Sequence, residues 1–372
     1  MKFITTQTEL NRAISIASRA VNTRQIMPTL KSLLLEVKGT KLSIYGTDLN
    51  VSIKAEMDIS GNEDGRTLVD SKLLGNVVRA LPNSLVSVST GRGTLNINAL
   101  TSDFDLATLN DEDFPDFTDV APCVTQFSIK TDSFMRLVYG TSFAASVDEK
   151  KGVLMGCLLD ASEDSVKMVA LDGFRLALAT EKVDASGTHK EIISAKDLVS
   201  VASILKETDS AEVDVQLSEN FVKFSVEGIT IVSRLLSGQY VNYTQIMPKS
   251  YNTRIVFNQA DLVSALDRAS ILSKEGKNNL VRFNIGADGL NITSRGQEGR
   301  VNEKVAIEMD GADLVIGFNA KYLLDALKAV QSNDADIAME FTSAQTAALI
   351  KPVDGDEAFT YLVLPVRLST ES

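Results

Sequence analysis

Residues that bind metals or form disulfides are scarce in this sequence. Its 372 residues include one histidine, His189, and two cysteines, Cys123 and Cys157. One histidine and two distant cysteines cannot supply the usual ligand spacing of a zinc site, and they imply no disulfide framework. His189 lies in the polar segment DASGTHKE, where a lone histidine is more often solvent-exposed than catalytic.

The short motifs that mark common enzyme classes are also missing. No phosphate-binding GxxxxGK[ST] or GxGxxG occurs, and residues 91–93 (GRG) lie between two strand candidates, as a turn would. The nucleophile elbow G-x-S-x-G is absent. Acidic runs such as residues 111–113 are typical of solvated loops, although scattered acids could still form a two-metal carboxylate site. We therefore predict a protein that is not an enzyme and that binds no metal and no cofactor.

Long apolar runs are absent as well. No stretch reaches the roughly 18–20 apolar residues of a membrane helix, and the opening MKFITTQTEL lacks the apolar run of a secretory signal. We expect a cytoplasmic protein without membrane contact. The net charge of −12 and the pI near 4.8 argue only weakly against a nucleic-acid partner. Exposed charges are screened beyond about 10 Å in 0.1 M salt, so the positions of the cations matter more than the balance.

The chain is organised as a threefold repeat. Each copy begins with an amphipathic helix candidate that opens on a polar capping residue and spaces its apolar residues three and four apart. These candidates start at Gln7, Thr131 and Asn258. Strand-like segments with a turn-like centre follow, which is typical of a hairpin. A second helix candidate and more short strands close each copy. The second helices start at Asp70, Ser194 and Asn319.

Proline and polar residues mark two junctions between the copies. They are DFPDFTDVAPC, around residues 115–122, and NYTQIMPKSYN, around residues 247–252. We therefore predict three domains at residues 1–121, 126–247 and 252–372. Each would have an α+β fold with two helices and antiparallel sheets. A unit of about 125 residues is too long for a solenoid repeat, so each copy can hold its own core.

The helix candidates are richer in cations than the acidic total suggests. Their basic residues include Arg12, Arg19, Lys72, Arg79, Arg136, Lys196, Lys206, Arg268, Lys321 and Lys328. These cations are either the solvated sides of separate helices or one basic surface to which all the helices contribute. Phosphate contacts from such a surface give a sequence-independent, salt-sensitive affinity. No base-reading helix, zinc finger or aromatic RNA-binding motif accompanies them, so bound DNA would not be read for its sequence.

Several short strings, in this order, resemble the β-subunit family of bacterial DNA polymerase III. They are the opening MKF, GTDL from Gly46, FPD from Phe114, LDGFRLA from Leu171 and YLVLPVRL from Tyr361. The resemblance spans nearly the whole chain, including its length and its threefold repeat. It implies three tandem DNA-clamp domains and head-to-tail closure of two chains into a ring. Helices would line the hole and sheets would lie outside, so a basic lining can coexist with an acidic exterior.

The resemblance also implies an apolar pocket that takes side chains of a short extended peptide. Its residues here are Leu154, Leu171, Gly173, Phe174, Arg175, Leu176, Val241, Ile246, Leu362, Val363, Leu364, Pro365, Val366 and Arg367. For any one of them alone, ordinary core or a terminal edge strand would be the favoured interpretation. Pro365 favours an exposed edge, because proline removes a donor from the strand ladder. Phe174 and Leu171 replace the histidine and threonine that are commoner in the family, and both make the pocket more apolar.

For DNA, the resemblance points to cations on the helices and in two loops. They are Arg24 in the loop after the first helix, Lys72, Arg79 and Lys196 on the helices, and Lys150 and Lys151 in the loop at residues 148–152. The last loop lacks the aromatic residues that some members carry. Attraction to phosphate is therefore expected there, and stacking on bases is not.

Closure of the ring would use the third domain of one copy and the first domain of another. The resemblance places Ile271 and Leu272 against the first-domain residues Leu73, Val77, Phe104 and Leu109. An exposed strand edge there could pair across the interface and continue the sheet.

The function implied is that of a DNA sliding clamp. As a homodimer it would encircle duplex DNA, confer processivity on the replicative DNA polymerase and dock other replication and repair proteins that carry a clamp-binding motif. An ATP-driven clamp loader would use the same pocket as the polymerase. Two alternatives are a non-ring, β-rich protein-interaction scaffold and a β-rich enzyme. Topological retention on DNA distinguishes the first of these, and turnover of nucleotides distinguishes the second.

Overall fold

The computed structural model describes residues 1–22, 26–115, 122–274, 279–296, 298–330, 335–353 and 358–368. These residues form six α-helices, each of which begins within one residue of its predicted start. The helices are α1 (Gln7–Ala17), α2 (Ser71–Ala80), α3 (Thr131–Thr141), α4 (Ala195–Leu205), α5 (Gln259–Ser273) and α6 (Ala320–Ala329).

Polar caps explain where several helices begin. The side chains of Thr6, Asp70, Asn258 and Asn319 accept hydrogen bonds from backbone N–H groups of the following turn. Such bonds satisfy donors that otherwise have no partner at a helix start. The predicted capping residue is confirmed at α5, where it is Asn258, whereas α1 is capped by Thr6 and not by Gln7.

The first copy of the repeat contains nine strands. They are β1 (Lys2–Thr6), β2 (Ser32–Lys38), β3 (Lys41–Thr47), β4 (Val51–Asp58), β5 (Ser60–Glu63), β6 (Gly65–Asp70), β7 (Leu85–Thr90), β8 (Thr94–Ala99) and β9 (Ser102–Leu109). A 3-10 helix at Pro28–Lys31 precedes β2. The helices α1 and α2 pack side by side against these strands.

The second copy contributes eight strands to the described chain. They are β10 (Thr125–Lys130), β11 (Gly156–Ala161), β12 (Ser165–Leu171), β13 (Arg175–Lys182), β14 (His189–Ser194), β15 (Glu212–Leu217), β16 (Phe221–Val226) and β17 (Ile229–Arg234). A 3-10 segment at Glu149–Met155 precedes β11. His189 begins a strand and is half-buried, so it does not lie in the exposed loop that the sequence suggested.

The third copy repeats the pattern with β18 (Thr253–Asn258), β19 (Leu280–Gly286), β20 (Gly289–Arg295), β21 (Arg300–Val305), β22 (Glu308–Gly311), β23 (Leu314–Asn319), β24 (Asp336–Phe341), β25 (Ala348–Pro352) and β26 (Phe359–Val363). The order of helices and hairpins is that of the first copy. The predicted threefold repeat is therefore confirmed.

Antiparallel pairing joins the copies into long sheets. In a 13-stranded sheet, β17 of the second copy pairs with β4 of the first, and Ile231 lies opposite Ile53. In a nine-stranded sheet, β26 of the third copy pairs with β13 of the second, and Tyr361 lies opposite Ala177. The strands β21, β20, β19 and β23 form a separate four-stranded sheet, in which β21 is an edge.

Because the sheets cross the junctions between copies, the chain divides into two compact units whose boundaries differ from those of the three copies. The first unit comprises Met1–Thr131, Ala185–His189 and Ser200–Leu235, and the second comprises Asp132–Asp184, Lys190–Val199 and Leu236–Ser372. Strands of the second copy belong to both: β17 extends the sheet of the first copy, and β13 extends that of the third. The domain boundaries at 121, 126, 247 and 252 stay a prediction.

Candidate functional site

A three-residue turn joins β12 to β13 and forms one side of the predicted pocket. Gly173 at its centre has φ +93°, a conformation that glycine adopts without strain. The Asp172 carboxylate accepts hydrogen bonds from the backbone N–H of Phe174 at 2.8 Å and of Arg175 at 3.1 Å. These bonds fix the turn and leave the Phe174 side chain 54% exposed. An apolar ring is thus held at the protein surface.

Arg175 fastens this turn to α6. Its guanidinium donates to the Asp172 carboxylate at 3.1 Å, to the Asp325 carboxylate at 2.6 Å and to the carbonyl of Phe143 at 2.6 Å. The same group lies 4.6 Å from the ring centre of Tyr322 and 5.4 Å from that of Phe143. Arg175 stays a predicted pocket residue, but these donors already have protein partners, so it holds the wall of the pocket.

The segment after β26 continues along the same turn. The backbone N–H of Leu364 donates to the carbonyl of Phe174 at 2.9 Å, and that of Val366 donates to the carbonyl of Gly317 at 2.8 Å. Pro365, which has no N–H, lies between the two donors. The spacing explains how a proline is accommodated in this segment, because the residue that lacks a donor falls where none is used.

Four predicted pocket residues meet in one apolar cluster: Leu154, Leu171, Leu176 and Leu362. The other buried members are Leu158, Val169, Ile192, Tyr243, Ala347 and Leu349, and the partly buried Val153, Leu178, Leu236, Tyr240 and Met247 also pack against them. The remaining ten predicted residues are not members of it. This cluster, which we call the pocket floor, belongs to the second compact unit.

Exposed apolar side chains accompany the floor at several predicted positions. Phe174, Val241, Ile246 and Leu364 are each between 40% and 54% exposed. Val363 is buried but is not part of the floor. Successive side chains of a strand face opposite sides, so Val363 faces away from the floor that Leu362 contacts. Exposed apolar groups beside a buried apolar floor are typical of a peptide-binding groove.

Two tyrosines of the floor were missed by sequence reasoning. The hydroxyl of Tyr240 donates to the carbonyl of Gly156 at 3.2 Å or of Val169 at 3.3 Å, and burial raises the pKa of Tyr240. Burial likewise raises the pKa of Tyr243. Tyr243 lies in the segment whose proline and polar residues indicated a linker, and Tyr240 lies two residues before it. The available signal was the aromatic pair itself, because large rings are rarely left fully exposed.

The two loop lysines have different surroundings. Lys150 is exposed, whereas the Lys151 ammonium donates to the carbonyl of Asp172 at 2.6 Å and lies 5.3 Å from the ring centre of Phe174. Contact of either lysine with DNA stays a prediction. The geometry attaches Lys151 to the pocket turn and leaves Lys150 in solvent.

Five of the ten cations named on the helix candidates form salt bridges with acids in the described chain. Arg12 donates to the carbonyl of Glu207, and Arg19 pairs with its carboxylate. Further pairs are Arg136 with Glu181, Arg268 with Glu303 at 2.6 Å, Lys328 with Asp267 at 3.0 Å and Lys321 with Asp325 at 2.8 Å. These pairs reduce the field that the cations can offer to a polyanion. Mere presence on a helix therefore does not identify a phosphate contact.

Lys72 and Arg79 are different. Both are exposed on α2, and neither pairs with a carboxylate among the residues that the structure describes. They line a groove of about 420 Å³ between α1 and α2. Its other lining residues are Asn11, Ile14, Ser15, Ser18, Val21, Ser71, Gly75 and Asn76, none of them acidic. Two uncompensated cations beside hydrogen-bonding side chains suit a phosphate group.

The other predicted DNA contacts are less defined. Lys196 is exposed in the first turn of α4, and within the described chain no acid pairs with it. Arg24 lies outside the described residues. Lys72 and Arg79 are thus the predicted DNA contacts that share one α-helix.

The predicted interface residues are mostly exposed apolar side chains. In the first copy Leu73, Phe104 and Leu109 are exposed while Val77 is buried, and in the third copy Ile271 is 66% exposed and Leu272 half-buried. The strand β9 pairs with β6 only through Thr108 and Leu109, so one edge from residue 102 to 107 has no strand partner in the described chain.

The pocket turn has a counterpart in the first copy. The Asp48 carboxylate accepts from the backbone N–H of Asn50 at 3.0 Å and of Val51 at 2.9 Å, as Asp172 does in the second copy. The two residues that face each other across the hairpin, one on each side of this turn, differ among the copies. They are Thr47 and Ser52 in the first, Leu171 and Leu176 in the second, and Arg295 and Arg300 in the third. Thr47 and Ser52 join their hydroxyls at 2.7 Å. Only the second copy places two apolar side chains there.

No group of three or more His, Cys, Asp or Glu side chains within the described ranges is arranged to hold a metal ion. Over the same ranges, no helix combines the length and apolarity needed to cross a membrane.

Comparison with known families identifies the class to which this fold and floor belong. Residues 1–118 match the N-terminal domain of the DNA polymerase III beta subunit, residues 128–242 its central domain, and residues 244–367 its C-terminal domain. The predicted three tandem clamp domains are thereby confirmed. The chain belongs to the DNA polymerase III beta subunit family.

Relatives agree over nearly the full length. The chain is 31% identical over 365 residues to a beta sliding clamp of Staphylococcus epidermidis, which covers 94% of each chain. It is 30% identical over 373 residues to that of Pseudomonas aeruginosa, which covers 99% of this chain and 100% of the relative. Among solved structures, the DNA polymerase sliding clamp from Bacillus subtilis matches with a TM-score of 0.94 at 28% identity. That match covers 99% of this chain and 100% of the other. A DnaN sliding clamp from Pseudomonas aeruginosa bound to griselimycin has a TM-score of 0.93 at 29% identity over the same shares.

Proposed function

We propose that this chain is a DNA sliding clamp whose two copies close head to tail around duplex DNA. In that state it tethers the replicative DNA polymerase, and it confers processivity without a catalytic step of its own. Its membership of the beta-subunit family, along the whole chain, is the observation that carries this proposal. The clamp loader and other replication and repair proteins would dock through the same pocket.

The internal repeat supports a third junction, made between two molecules. Within one chain, β17 pairs with β4 and β26 pairs with β13. The equivalent strands left over are β9 of the first copy and β21 of the third, and in the described chain each has an edge without a strand partner. If the internal registers held at this junction, Val301 would lie opposite Phe104 of the second molecule, and Arg300 opposite its Asp105. A head-to-tail dimer would thus continue the sheet.

The chemistry of these edges fits that register. Phe104 in the first copy is at the repeat position that Ile231 has in the second. Ile231 is only 2% exposed because it lies at the junction with β4, whereas Phe104 is 37% exposed. Pairing with Val301 would bury it. Arg300 faces Arg295 across its own hairpin, an unfavourable pairing of like charges that an added aspartate would relieve. Asp105 accepts a hydrogen bond from Asn96 and has no cationic partner among the described side chains.

Contacts with DNA would be to phosphate only. Lys72 and Arg79 on the groove between α1 and α2, with Lys196, Lys150, Lys151 and Arg24, are the proposed cations. Contacts of this kind add affinity without reading the sequence, which permits sliding. The pocket, with Leu154, Leu171, Leu176 and Leu362 at its floor, would hold extended peptides of the partners.

Retention on closed circular DNA tests the proposal. After loading, the protein should stay on circular duplex and leave within seconds to minutes of a single double-strand cut. Equal retention on circles and on linear DNA would indicate surface binding, and the alternative of a non-ring scaffold would then be favoured. Turnover of nucleotides by the purified chain would contradict the non-catalytic role.

A further inference from the structure

Two arginines of the first copy converge on one acid of the second copy. Arg12 lies in α1, and Arg19 lies in the 3-10 turn at Ser18–Ala20 that continues this helix. The guanidinium of Arg12 donates to the backbone carbonyl of Glu207 at 3.1 Å, and that of Arg19 forms a salt bridge with the Glu207 carboxylate. We call these three residues the arginine clasp. It joins two copies through side chains, in addition to the pairing of their strands.

Glu207 is held in a defined turn after α4. Its backbone N–H donates to the carbonyl of Ile204 at 2.9 Å, and the N–H of Thr208 donates to the carbonyl of Leu205 at 3.1 Å. The hydroxyl of Thr208 donates to the same carbonyl at 2.8 Å. Hydrogen bonds from charged donors are among the stronger ones in proteins. The clasp therefore connects two ordered elements by strong bonds.

The clasp lies in a different layer from the strand seam that joins the same copies. The seam is the pairing of β17 with β4, in which Ile231 lies opposite Ile53. Adjacent strands twist relative to each other by about 10–35°, so a seam alone leaves the angle between the copies adjustable. The helix α1 packs on β3 and β4, and the clasp extends from α1 to the second copy. An attachment in the helix layer restricts rotation about the seam.

The sixth residue of the first helix differs among the three copies. It is Arg12 in α1, Arg136 in α3 and Ser264 in α5. Arg136 pairs with Glu181 of its own copy, and Ser264 carries no charge. Of these three residues, only Arg12 donates a hydrogen bond to another copy within the described chain. The clasp is thus particular to the first junction.

We infer that Glu207 is a positioning residue for closure of the ring. By holding both arginines it fixes the angle between the first copy and the adjoining strands of the second, so less reorganisation precedes pairing with a second molecule. The effect on closure rests on the proposed function, whereas the clasp rests on the contacts above. Because an angle fixed beforehand lowers the entropy lost on association, Glu207→Gln should raise the dissociation constant of the dimer about two- to fivefold.

A different role for Glu207 would be to neutralise two cations of the helices. Glu207→Gln would then leave the dimer unchanged and strengthen binding to duplex DNA, because Arg12 and Arg19 would be released to phosphate. Sedimentation equilibrium on the full-length protein therefore separates the two roles. Screening weakens exposed ion pairs, so the difference between Glu207→Gln and the wild type should shrink at high salt.

A distance across the seam tests the clasp without DNA. Spin labels on Arg92→Cys and Lys130→Cys, at exposed residues of the first and second copies, lie on opposite sides of the seam. Cys123→Ser removes the exposed native thiol, and Cys157 is buried. Dilution with unlabelled protein leaves one labelled chain in each dimer. Double electron–electron resonance then reports the distribution of one distance within the chain.

In Glu207→Gln this distribution should broaden, and exchanging the charges by Arg19→Glu with Glu207→Arg should narrow it again. The matched control is Asp267→Asn, which breaks an exposed pair with Lys328 inside one copy and should change neither the distance nor the dimer. An unchanged distribution in Glu207→Gln would overturn the inference.

A broadened distribution with an unchanged dimer would overturn the role of Glu207 in closure. Failure of the wild type to stay on circular DNA, while the distance still responds to Glu207→Gln, would instead contradict the proposed function and leave the clasp in place.

Discussion

The backbone N–H of Leu364 donates to the carbonyl of Phe174, and this bond ties the C-terminal segment to the turn at the pocket rim. The first junction has the same bond, from Arg234 to Asn50 at 2.8 Å. The two junctions thus share this backbone hydrogen bond, although their side chains differ.

Truncation at the C-terminus should separate the pocket from the rest of the protein. A chain that ends at Val363 loses Leu364 and the bond to Phe174, but keeps β26 and its pairing with β13. We expect it to remain dimeric by sedimentation while losing stimulation of the polymerase. A chain that ends at Leu368 is the matched control and should retain stimulation. Full activity of the shorter chain would show that the pocket lies elsewhere.

A charge exchange tests the register of the proposed dimer. Arg300→Glu alone should weaken dimerisation, because it would place two acids opposite each other, with an expected loss of about 1 kcal/mol or more. Adding Asp105→Arg to the same chain should restore the dimer, as measured by sedimentation equilibrium.

Lys304→Glu is the control for the exchange, since it changes the same charge on β21 at a position outside the proposed pairs. If Asp105→Arg deepened the defect of Arg300→Glu, the register would be wrong even if the dimer were correct.

Replacement of both Ile271 and Leu272 by glutamate should yield monomers that still bind partner peptides.

The groove between α1 and α2 should determine part of the salt dependence of DNA binding. In Lys72→Gln with Arg79→Gln, the slope of log K against log salt should become shallower by about 0.9 for each phosphate that the protein no longer neutralises. The slope can be measured by anisotropy on labelled duplex between about 50 and 200 mM salt. Lys41→Gln removes one positive charge from a strand, where Lys41 pairs with Asp58, and should leave the slope unchanged.

The network around Arg175 should contribute to stability. Arg175→Lys keeps the charge but cannot reach two carboxylates and a carbonyl at once, so about 1–3 kcal/mol of unfolding free energy should be lost. Chemical denaturation monitored by circular dichroism should show a lower midpoint. Arg92→Lys, at an exposed loop position, serves as the control. An unchanged midpoint in Arg175→Lys would mean that these interactions add nothing to stability.

Cys157 should be inert to thiol reagents in the folded protein. Burial raises the pKa of its thiol to about 12, so almost no thiolate exists at pH 8. In a Cys123→Ser background, labelling should therefore wait for unfolding. Above about pH 9 the thiol of Cys157 ionises in the unfolded chain but stays protonated in the folded one. The contribution of Cys157 to the free energy of unfolding should therefore fall as the pH rises toward 12. Rapid labelling of the native protein would contradict the burial of Cys157.

The helices and hairpins were accessible from the sequence because their signals are local. Asn258, for example, is followed by apolar residues at helical spacing, and it caps α5 as expected. The pocket floor was partly accessible: Leu171 and Leu362 were named from the resemblance and do meet. No periodicity predicts that meeting, since the two residues are far apart in sequence.

The polar half of the site could not be predicted for the same reason. The partners of Arg175 come from residue 143 and from α6, and no local pattern connects them. Lys151 was assigned to DNA because the resemblance gives its loop a DNA contact, and only the fold shows its hydrogen bond to Asp172. Tyr243 was hidden in a segment whose proline indicated a linker, although a 3-10 helix at Tyr243–Gln245 buries it.

The hydroxyl pair of Thr47 and Ser52 has a consequence for how partners share the protein. At this position the first copy has a bonded pair of hydroxyls, the second has Leu171 and Leu176, and the third has two arginines. Under the proposed function, each chain would therefore have a single docking position. The proposed dimer would then hold at most two partners at once, and a third protein could bind only after one of them had dissociated.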